Sequence, residues 1–96
     1  MTKAELVDHV AATVPLPKSQ IEAVLTQCLQ AVMDAVQAGE AVDVRGFGRF
    51  HLRHRPPRTG RNPRTGETLQ IPAKAVPTFA AGKAFQDRVQ SHAAPA

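Results

Sequence analysis

Seven of the eight arginines lie within one short stretch of the chain, between Arg45 and Arg64. A guanidinium group keeps its positive charge at physiological pH and offers five N–H donors in one plane, a geometry that suits phosphate oxygens. Residues 45–96 carry a net charge of +8, whereas residues 1–44 carry −4. A segregated cationic half predicts binding of a polyanion, most often a nucleic acid, with an anionic membrane surface as the rival partner.

The other side chains that could take part in catalysis or bind a metal lack the spacing that those functions require. Gly60 and Gly66 do not form a phosphate-binding loop, because no lysine follows the second glycine. His51 and His54 are three positions apart on a predicted strand and therefore face opposite sides. Cys28 lies on an apolar helix stripe, where it is expected to be a small core residue. The sequence thus predicts no enzyme, no metal site, no cofactor and no small-molecule substrate.

The length of 96 residues is that of one domain, and 43% of the residues are hydrophobic, which predicts a folded core. A chain this short buries little surface, and a single cysteine cannot form an internal disulfide, so oligomerisation is expected. No apolar run reaches the roughly 18 residues of a membrane span, and no signal-peptide core is visible. We therefore expect a cytoplasmic protein, associated with the nucleoid if its partner is DNA.

Two helices must lie in the acidic half. Thr2–Glu5 has the spacing of a capping box, so a first helix begins at Thr2 and ends near Thr13, where prolines follow. A second helix begins near Pro17, and its apolar residues recur at steps of three and four from Ile21 to Val36. Gly39 follows the last apolar position and is expected to end this helix.

The pattern becomes alternating in the basic half. Ala41–Arg45 is predicted to form a short strand and Gly46–Gly48 a tight turn. The next strand places Phe50, Leu52 and His54 on one face, and its other face carries a row of basic side chains: Arg49, His51, Arg53 and Arg55.

The end of the chain is predicted to add one strand and one helix. Val76–Phe79 is the strand candidate, and Pro77 favours an edge position for it. Ala84–Val89 is expected to form a short helix with Phe85 and Val89 on one face, followed by a frayed tail at residues 91–96.

Residues 56–74 are predicted to form a protruding arm. Asn62–Gly66 is typical of a turn, and Glu67–Ile71 returns as a strand. A two-stranded hairpin is marginal in water, so the arm is expected to be mobile when free. From Pro56 to Pro63 it would reach about 25 Å, enough to follow a DNA groove. Spacing alone leaves open whether Pro63 only shapes the turn or wedges between base pairs.

Several runs of sequence resemble the bacterial HU and integration host factor family, namely Gly46–Phe50, Arg58–Gly66, Val76–Phe79 and Gly82-Lys83. The similarity extends from Met1 to about Val89. The resemblance implies an α+β fold in an intertwined dimer, with a helical base, an antiparallel sheet saddle and two protruding β-ribbon arms. Residues 1–96 would then be a single domain, divided into a helical dimerisation part (1–44), the sheet and arm (45–79), a C-terminal helix (80–90) and a tail (91–96).

The resemblance also implies which residues touch DNA. Pro63 would insert between base pairs, Asn62 would bond to base edges beside it, and the cationic side chains would neutralise phosphates. Gly46 and Gly48 would let the backbone approach DNA, although turn geometry alone also selects glycine. The implied DNA-binding residues are Lys3, Gly46, Gly48, Arg53, Arg55, Arg58, Arg61, Asn62, Pro63, Arg64, Lys74 and Lys83.

The function implied is that of a histone-like dimer that binds double-stranded DNA with little sequence preference, enters the minor groove and bends the duplex. A homodimer is expected and a heterodimer is the alternative. Arg45 and Arg88 resemble integration host factor subunits, whereas Ala80–Lys83 lacks the basic residue and proline of that pattern. A sequence-selective subunit acting in recombination or transcription therefore stays open, as does RNA binding. A surface adhesion protein for anionic polysaccharide or lipid is disfavoured by the missing signal peptide.

Overall fold

A computed structural model of the protein describes residues 1–93. Contacts divide the chain into two compact units, Met1–Asp34 and the part from Ala35 onward. The elements in chain order are α1 (Lys3–Ala11), α2 (Lys18–Gln37), β1 (Val42–Val44), β2 (Gly48–Arg55), β3 (Arg58–Arg61), β4 (Thr68–Ile71), β5 (Lys74–Ala81), α3 (Lys83–Val89) and a 3-10 turn (Gln90–His92). Within the described residues, no helix has the length and apolarity that crossing a membrane requires.

Helix α1 begins where the capping pattern predicts. The Thr2 side-chain oxygen accepts a hydrogen bond from the Glu5 backbone N–H at 3.2 Å, which satisfies one of the free donors of the first turn. Val7 and Ile21 are the buried residues of the first unit, with 5% and 6% of their surface exposed. The first unit therefore has a very small apolar core.

The apolar stripe of α2 is mostly uncovered in the single chain. Val24 and Met33 are 60% and 55% exposed, and Leu29 and Cys28 are exposed as well. Cys28 is therefore not part of a core within one chain, and its predicted place in a core depends on a second chain that covers the stripe. The physical reason is length: α1 has nine residues and α2 has twenty, so α1 can cover only part of the stripe.

Helix α2 ends in the motif that Gly39 predicts. Gly39 has a φ of +83°, in the left-handed region that glycine adopts without penalty. Its N–H donates to the Val36 carbonyl at 2.9 Å, and the Glu40 N–H donates to the Ala35 carbonyl at 2.9 Å. These two bonds are those of a Schellman motif, which satisfies carbonyls at the helix end.

The second unit contains a three-stranded antiparallel sheet in the order β1-β2-β5. Strand β5 is longer than the predicted Val76–Phe79, because all eight of its residues pair with β2 and the ladder compensates for weak strand propensity at its ends. Strand β5 is an edge strand, the position that Pro77 predicts, and Pro77 pairs with Leu52 of β2. The outer side of an edge strand has no neighbouring strand, so proline, which lacks an N–H, is tolerated there.

All four phenylalanines form one cluster in the second unit. The ring centroids of Phe47, Phe50, Phe79 and Phe85 lie 4.9–6.2 Å apart in the five neighbouring pairs. These are the separations at which aromatic pairs attract one another beyond simple burial. The cluster packs α3 and the turn before β2 against the sheet, yet Phe47 remains 42% exposed.

The chain continues past α3 without fraying at once. Gln90–His92 form a 3-10 turn, so the predicted frayed tail begins later than Ser91. The last three positions of the predicted tail, 94–96, lie outside the described residues.

Candidate nucleic-acid interface

The basic row on β2 follows the predicted alternation. Arg49, Arg53 and Arg55 are exposed, and in the described part of the chain only Arg49 among them has an acidic partner, since its Nε lies 3.7 Å from an Asp43 carboxylate oxygen. His51 lies in the same row but is half-buried, and within residues 1–93 its Nδ1 atom has no hydrogen-bond partner. This face of β2 therefore presents cations at its arm end that no carboxylate of residues 1–93 neutralises.

The sheet adds another cation to this row through its register. Lys74, the first residue of β5, pairs with Arg55, the last residue of β2. Directly opposite residues of an antiparallel pair share one face, with Cβ atoms about 5 Å apart, and like charges there repel each other. Arg53, Arg55, Arg58 and Lys74 line one cleft at this point. Such a cluster favours an anion between its members.

Between the sheet and the arm the strand pairing is interrupted by two unpaired residues on each side of the hairpin. After the Arg55–Lys74 pair, the next pair is Arg58–Ile71, so positions 56, 57, 72 and 73 are unpaired. Three of these four positions are proline, which has no N–H for a ladder and a fixed φ. These prolines therefore interrupt the strand pairing at the base of the arm, and we call the unpaired positions 56, 57, 72 and 73 the hinge.

The arm is the two-stranded ribbon β3–β4, and it carries a cation on each face. Arg58 shares its face with Gly60, Leu69 and Ile71, whereas Arg61 shares the other with Thr59, Gln70 and Thr68. The ribbon is slim at Gly60, where an added Cβ would lie only 3.0 Å from the Ile71 Cδ1 atom. Leu69 and Ile71 are exposed, so one face of the arm is apolar apart from Arg58.

The tip of the arm is the predicted turn. Asn62 anchors it, since its backbone N–H donates to the Glu67 carbonyl at 2.8 Å and its carbonyl accepts from the Gly66 N–H at 2.8 Å. Gly66 has a φ of +73°, in the left-handed region that glycine adopts without a steric penalty. Pro63 is exposed at the outermost part of the turn.

Local backbone geometry and packing account for Gly46 and Gly48 without DNA. Gly46 has a φ of +81°, and the Phe47 N–H donates to the Val44 carbonyl at 2.9 Å, as in a type II turn. A Cβ on Gly48 would lie 2.6 Å from the Ala80 carbonyl oxygen and 2.6 Å from the Phe79 ring. A close approach of DNA to these glycines therefore remains a proposal.

The remaining predicted residues lie away from the arm. Lys3 belongs to the first unit, where its Nζ donates to the Thr26 hydroxyl at 2.7 Å. Lys83 begins α3 and pairs with Asp87 at 3.3 Å, an exposed contact that leaves its charge available to another anion. The structure thus brings together Arg53, Arg55, Arg58 and Lys74 at the arm base, and Arg61, Asn62, Pro63 and Arg64 at the arm tip.

Two features of the interface were missed at the level of sequence. The hinge could have been found, because Pro56, Pro57 and Pro72 flank the arm at similar distances from its tip. The apolar face with Leu69 and Ile71 has no sequence signal of its own, since it depends on the pairing of β3 with β4. Among residues 1–93, no three His, Cys, Asp or Glu side chains come together in a way that could hold a metal ion.

Comparison with known proteins assigns this architecture. A sequence profile of the family described as bacterial DNA-binding protein matches residues 1–90. The chain belongs to this family. Among its bacterial DNA-binding relatives is the DNA-binding protein HU of Nostoc sp. (strain PCC 7120), which is 48% identical over 89 residues, covering 93% of this chain and 95% of the relative. The integration host factor subunit beta of Methylococcus capsulatus is 45% identical over 92 residues, covering 95% and 97%.

The fold of the family is also found among solved structures. A chain from a cocrystal of Anabaena HU with DNA superimposes with a TM-score of 0.84 and 48% sequence identity, covering 93% of this chain and 97% of that one. The predicted resemblance to HU and integration host factor and the predicted α+β fold are therefore confirmed. The protein is a DNA-binding protein of this family, whose members act as dimers.

Proposed function

We propose that the protein is a histone-like, non-enzymatic homodimer of the bacterial nucleoid that clamps duplex DNA with two arms and bends it. The observation that carries this proposal is the β3–β4 ribbon, which has a cation on each face, a cationic cluster at its base and an exposed proline at its tip. The family of the chain and its similarity to an HU chain crystallised with DNA support the same function.

The exposed apolar surface of each unit supports the dimer. In the first unit the apolar stripe of α2 exposes Val24, Leu29 and Met33. In the second unit Phe47 and Val89 are exposed. Large apolar side chains at helical spacing are strongly favoured to pack against a partner, and contiguous exposed patches of this kind mark interfaces. A second copy of the chain offers the same stripe and would bury both.

The shape of the arm supports entry into the minor groove. Strand β3 carries the small residues Thr59 and Gly60 at its centre, which keeps that strand of the ribbon narrow. Arg58 and Arg61 lie on opposite faces of the ribbon, so they would reach phosphates of the two DNA strands. Bending the duplex opens the groove that receives the ribbon, and flexible base steps cost less to bend.

The role proposed for Pro63 is that of a wedge. Its ring is rigid, apolar and exposed, and the hydrogen bonds of Asn62 hold the turn that presents it. A proline inserted between base pairs unstacks them and kinks the duplex. Removal of the ring is therefore expected to affect bending more than binding.

The test is a salt-titrated binding assay on one linear duplex, with bending read by energy transfer between dyes at the two DNA ends. The parent protein is expected to lose affinity steeply with salt, and Pro63→Ala to bind with similar affinity but bend the DNA less. Weak binding together with no effect of Pro63→Ala would overturn the proposal. Anionic lipid vesicles and RNA, titrated in parallel, would then identify the preferred polyanion.

A sequence-selective role in recombination or transcription is the second candidate. The similarity to an integration host factor subunit favours it, as do Arg45 and Arg88. Competition between random duplexes and sites selected from a random pool separates the two functions. A selected site that outcompetes random DNA by more than 1,000-fold would support sequence-selective recognition, since specific binding exceeds non-specific binding by roughly that factor or more.

A further inference from the structure

His51 is the one member of the basic row on β2 whose charge depends on pH. It lies between Arg49 and Arg53, and residues two apart on a strand share a face. Arginine stays charged throughout the physiological range, whereas histidine is the side chain that changes its charge between about pH 5 and 8. The charge of this row is therefore fixed at its arginines and variable at its histidine.

The two ring nitrogens of His51 lie in different surroundings. The residue is half-buried, and Nδ1 is a buried atom that has no hydrogen-bond partner within residues 1–93. Since Nδ1 is on the buried side of a half-buried ring, the exposed edge of the ring carries Nε2. A protonated imidazole donates from both nitrogens. Nε2 is therefore the atom of His51 that can donate to a ligand lying over this face of the sheet.

Strand β5 offers an acceptor for the buried nitrogen when that nitrogen carries a proton. Thr78 of β5 pairs with His51, and directly opposite residues have Cβ atoms about 5 Å apart. The Thr78 hydroxyl donates to the Val76 carbonyl at 3.3 Å, which leaves its oxygen able to accept. A buried N–H donor without an acceptor is costly. The register thus places an acceptor on the strand next to the protonated ring.

The charged groups around His51 are mostly cations. The two arginines flank it on β2, and its diagonal neighbours on β5, Val76 and Ala80, carry no charge. On the β1 side, Asp43 is the diagonal neighbour, and its carboxylate already lies 3.7 Å from the Arg49 Nε atom. The cavity beside the ring at this edge is lined by Gly39, Ala41, Arg49, His51, Leu52 and His54. A phosphate of bound DNA is therefore the anion that would favour a charged ring, through its opposite charge.

We propose that His51, in its protonated form, is a phosphate-binding residue of the DNA interface. Its Nε2–H would donate to a DNA phosphate lying over the row, and its Nδ1–H would donate to the Thr78 oxygen. Because the phosphate favours the charged ring, binding of DNA takes up a proton at His51, and the affinity rises as the pH falls. The contact is lost as the pH rises, since a neutral ring has no charge to pair with phosphate. This inference rests on the proposed function, because it requires this face of β2 to lie against DNA.

The test measures DNA affinity against salt at two pH values. Fluorescence anisotropy of the protein on one linear duplex is recorded at about pH 5.5 and about pH 8, which span most of the range over which histidine changes charge. Each of the two His51 contacts in a dimer adds about 0.9 to the slope of log affinity against log salt concentration, so the slope should be about 1.8 steeper at the lower pH. Between roughly 50 and 200 mM salt, the parent protein should then lose about tenfold more affinity at the lower pH than at the higher.

His51→Gln and His54→Gln are the matched pair of variants. Both remove one imidazole from β2 and keep a polar side chain, but His54 lies on the opposite face of the strand. His51→Gln should show the shallower slope at both pH values, whereas His54→Gln should keep the difference of about 1.8. His51→Lys carries its charge at both pH values, so its slope should stay steep and independent of pH.

Three results would overturn this inference. One is a parent slope that is the same at both pH values, the second is a difference that persists in His51→Gln, and the third is a difference that His54→Gln removes. The proposed function would stand in each case if the slope at about pH 8 remained steep and Pro63→Ala still reduced bending. Failure of the proposed function looks different, because the affinity for DNA would then depend little on salt at either pH.

Discussion

Replacement of both arm arginines tests how the arm holds DNA. Arg58 and Arg61 lie on opposite faces of the β3–β4 ribbon, so each can reach a different strand of the duplex. Neither has a salt-bridge partner among the described residues, and both are exposed. Their charges are therefore available to phosphates, and the double variant Arg58→Ala/Arg61→Ala should remove phosphate contacts without disturbing a core.

The size of the effect follows from counterion release. Each phosphate neutralised on duplex DNA contributes about 0.9 to the slope of log affinity against log salt concentration. The proposed dimer would lose four such contacts, two from each arm, which lowers the slope by about 3.6. Between roughly 50 and 200 mM salt, the parent protein should then lose about 100-fold more affinity than the variant.

The assay is fluorescence anisotropy on one labelled duplex across that range of salt. Each single variant should show about half the change in slope, because the two side chains are on different faces and act independently. Lys18→Ala is the charge control: Lys18 pairs with Asp8 at 2.9 Å in the first unit, and its loss should leave the slope unchanged. An unaltered slope in the double variant would refute a clamp built on these arginines.

Three further outcomes follow from the described contacts. Gly48→Ala should lower the free energy of unfolding by about 1–3 kcal/mol, because its Cβ would lie 2.6 Å from a backbone oxygen, and calorimetry at a fixed chain concentration should show a clear drop in Tm. An unchanged Tm would mean that β5 can shift. Met33→Asp should weaken the dimer, since Met33 is 55% exposed on the apolar stripe. Sedimentation of a fully dimeric variant would contradict the assignment of that stripe. Pro56→Ala/Pro57→Ala should lower DNA affinity a few-fold with the same salt slope, because a freer hinge must be ordered on binding. Equal affinities would show that the prolines do not preorganise the arm.

Elements whose signal is local could be predicted from the sequence. The apolar residues of α2 recur over about four turns and Gly39 follows them, so both the helix and its end were identifiable. The turn around Asn62 and Pro63 was equally visible, because its residue types each satisfy a local backbone requirement. The alternation along β2 likewise predicted the row of basic side chains on one face.

Features that depend on distant partners could not be predicted. The ends of β5 are formed by Lys74, Ala75, Ala80 and Ala81, which have weak strand propensity and become strand only by pairing with β2. The exposure of Cys28 depends on how much of α2 is covered, which periodicity does not report. Within the interface, the opposition of Arg55 and Lys74 requires a register between residues 19 positions apart.

The arm base shows why ordering of the arm and binding of DNA should be coupled. Arg55 and Lys74 close the sheet as a like-charged pair, and directly beyond them the ladder stops at three prolines. The free protein therefore has repulsion and no backbone pairing at the position where the arm meets the sheet. A phosphate placed in that cleft removes the repulsion and adds charge-assisted hydrogen bonds. The ribbon is paired along β3 and β4 whereas the hinge is unpaired, so we expect any change on DNA binding to be concentrated at the hinge, where a small rotation would move the Pro63 tip the farthest.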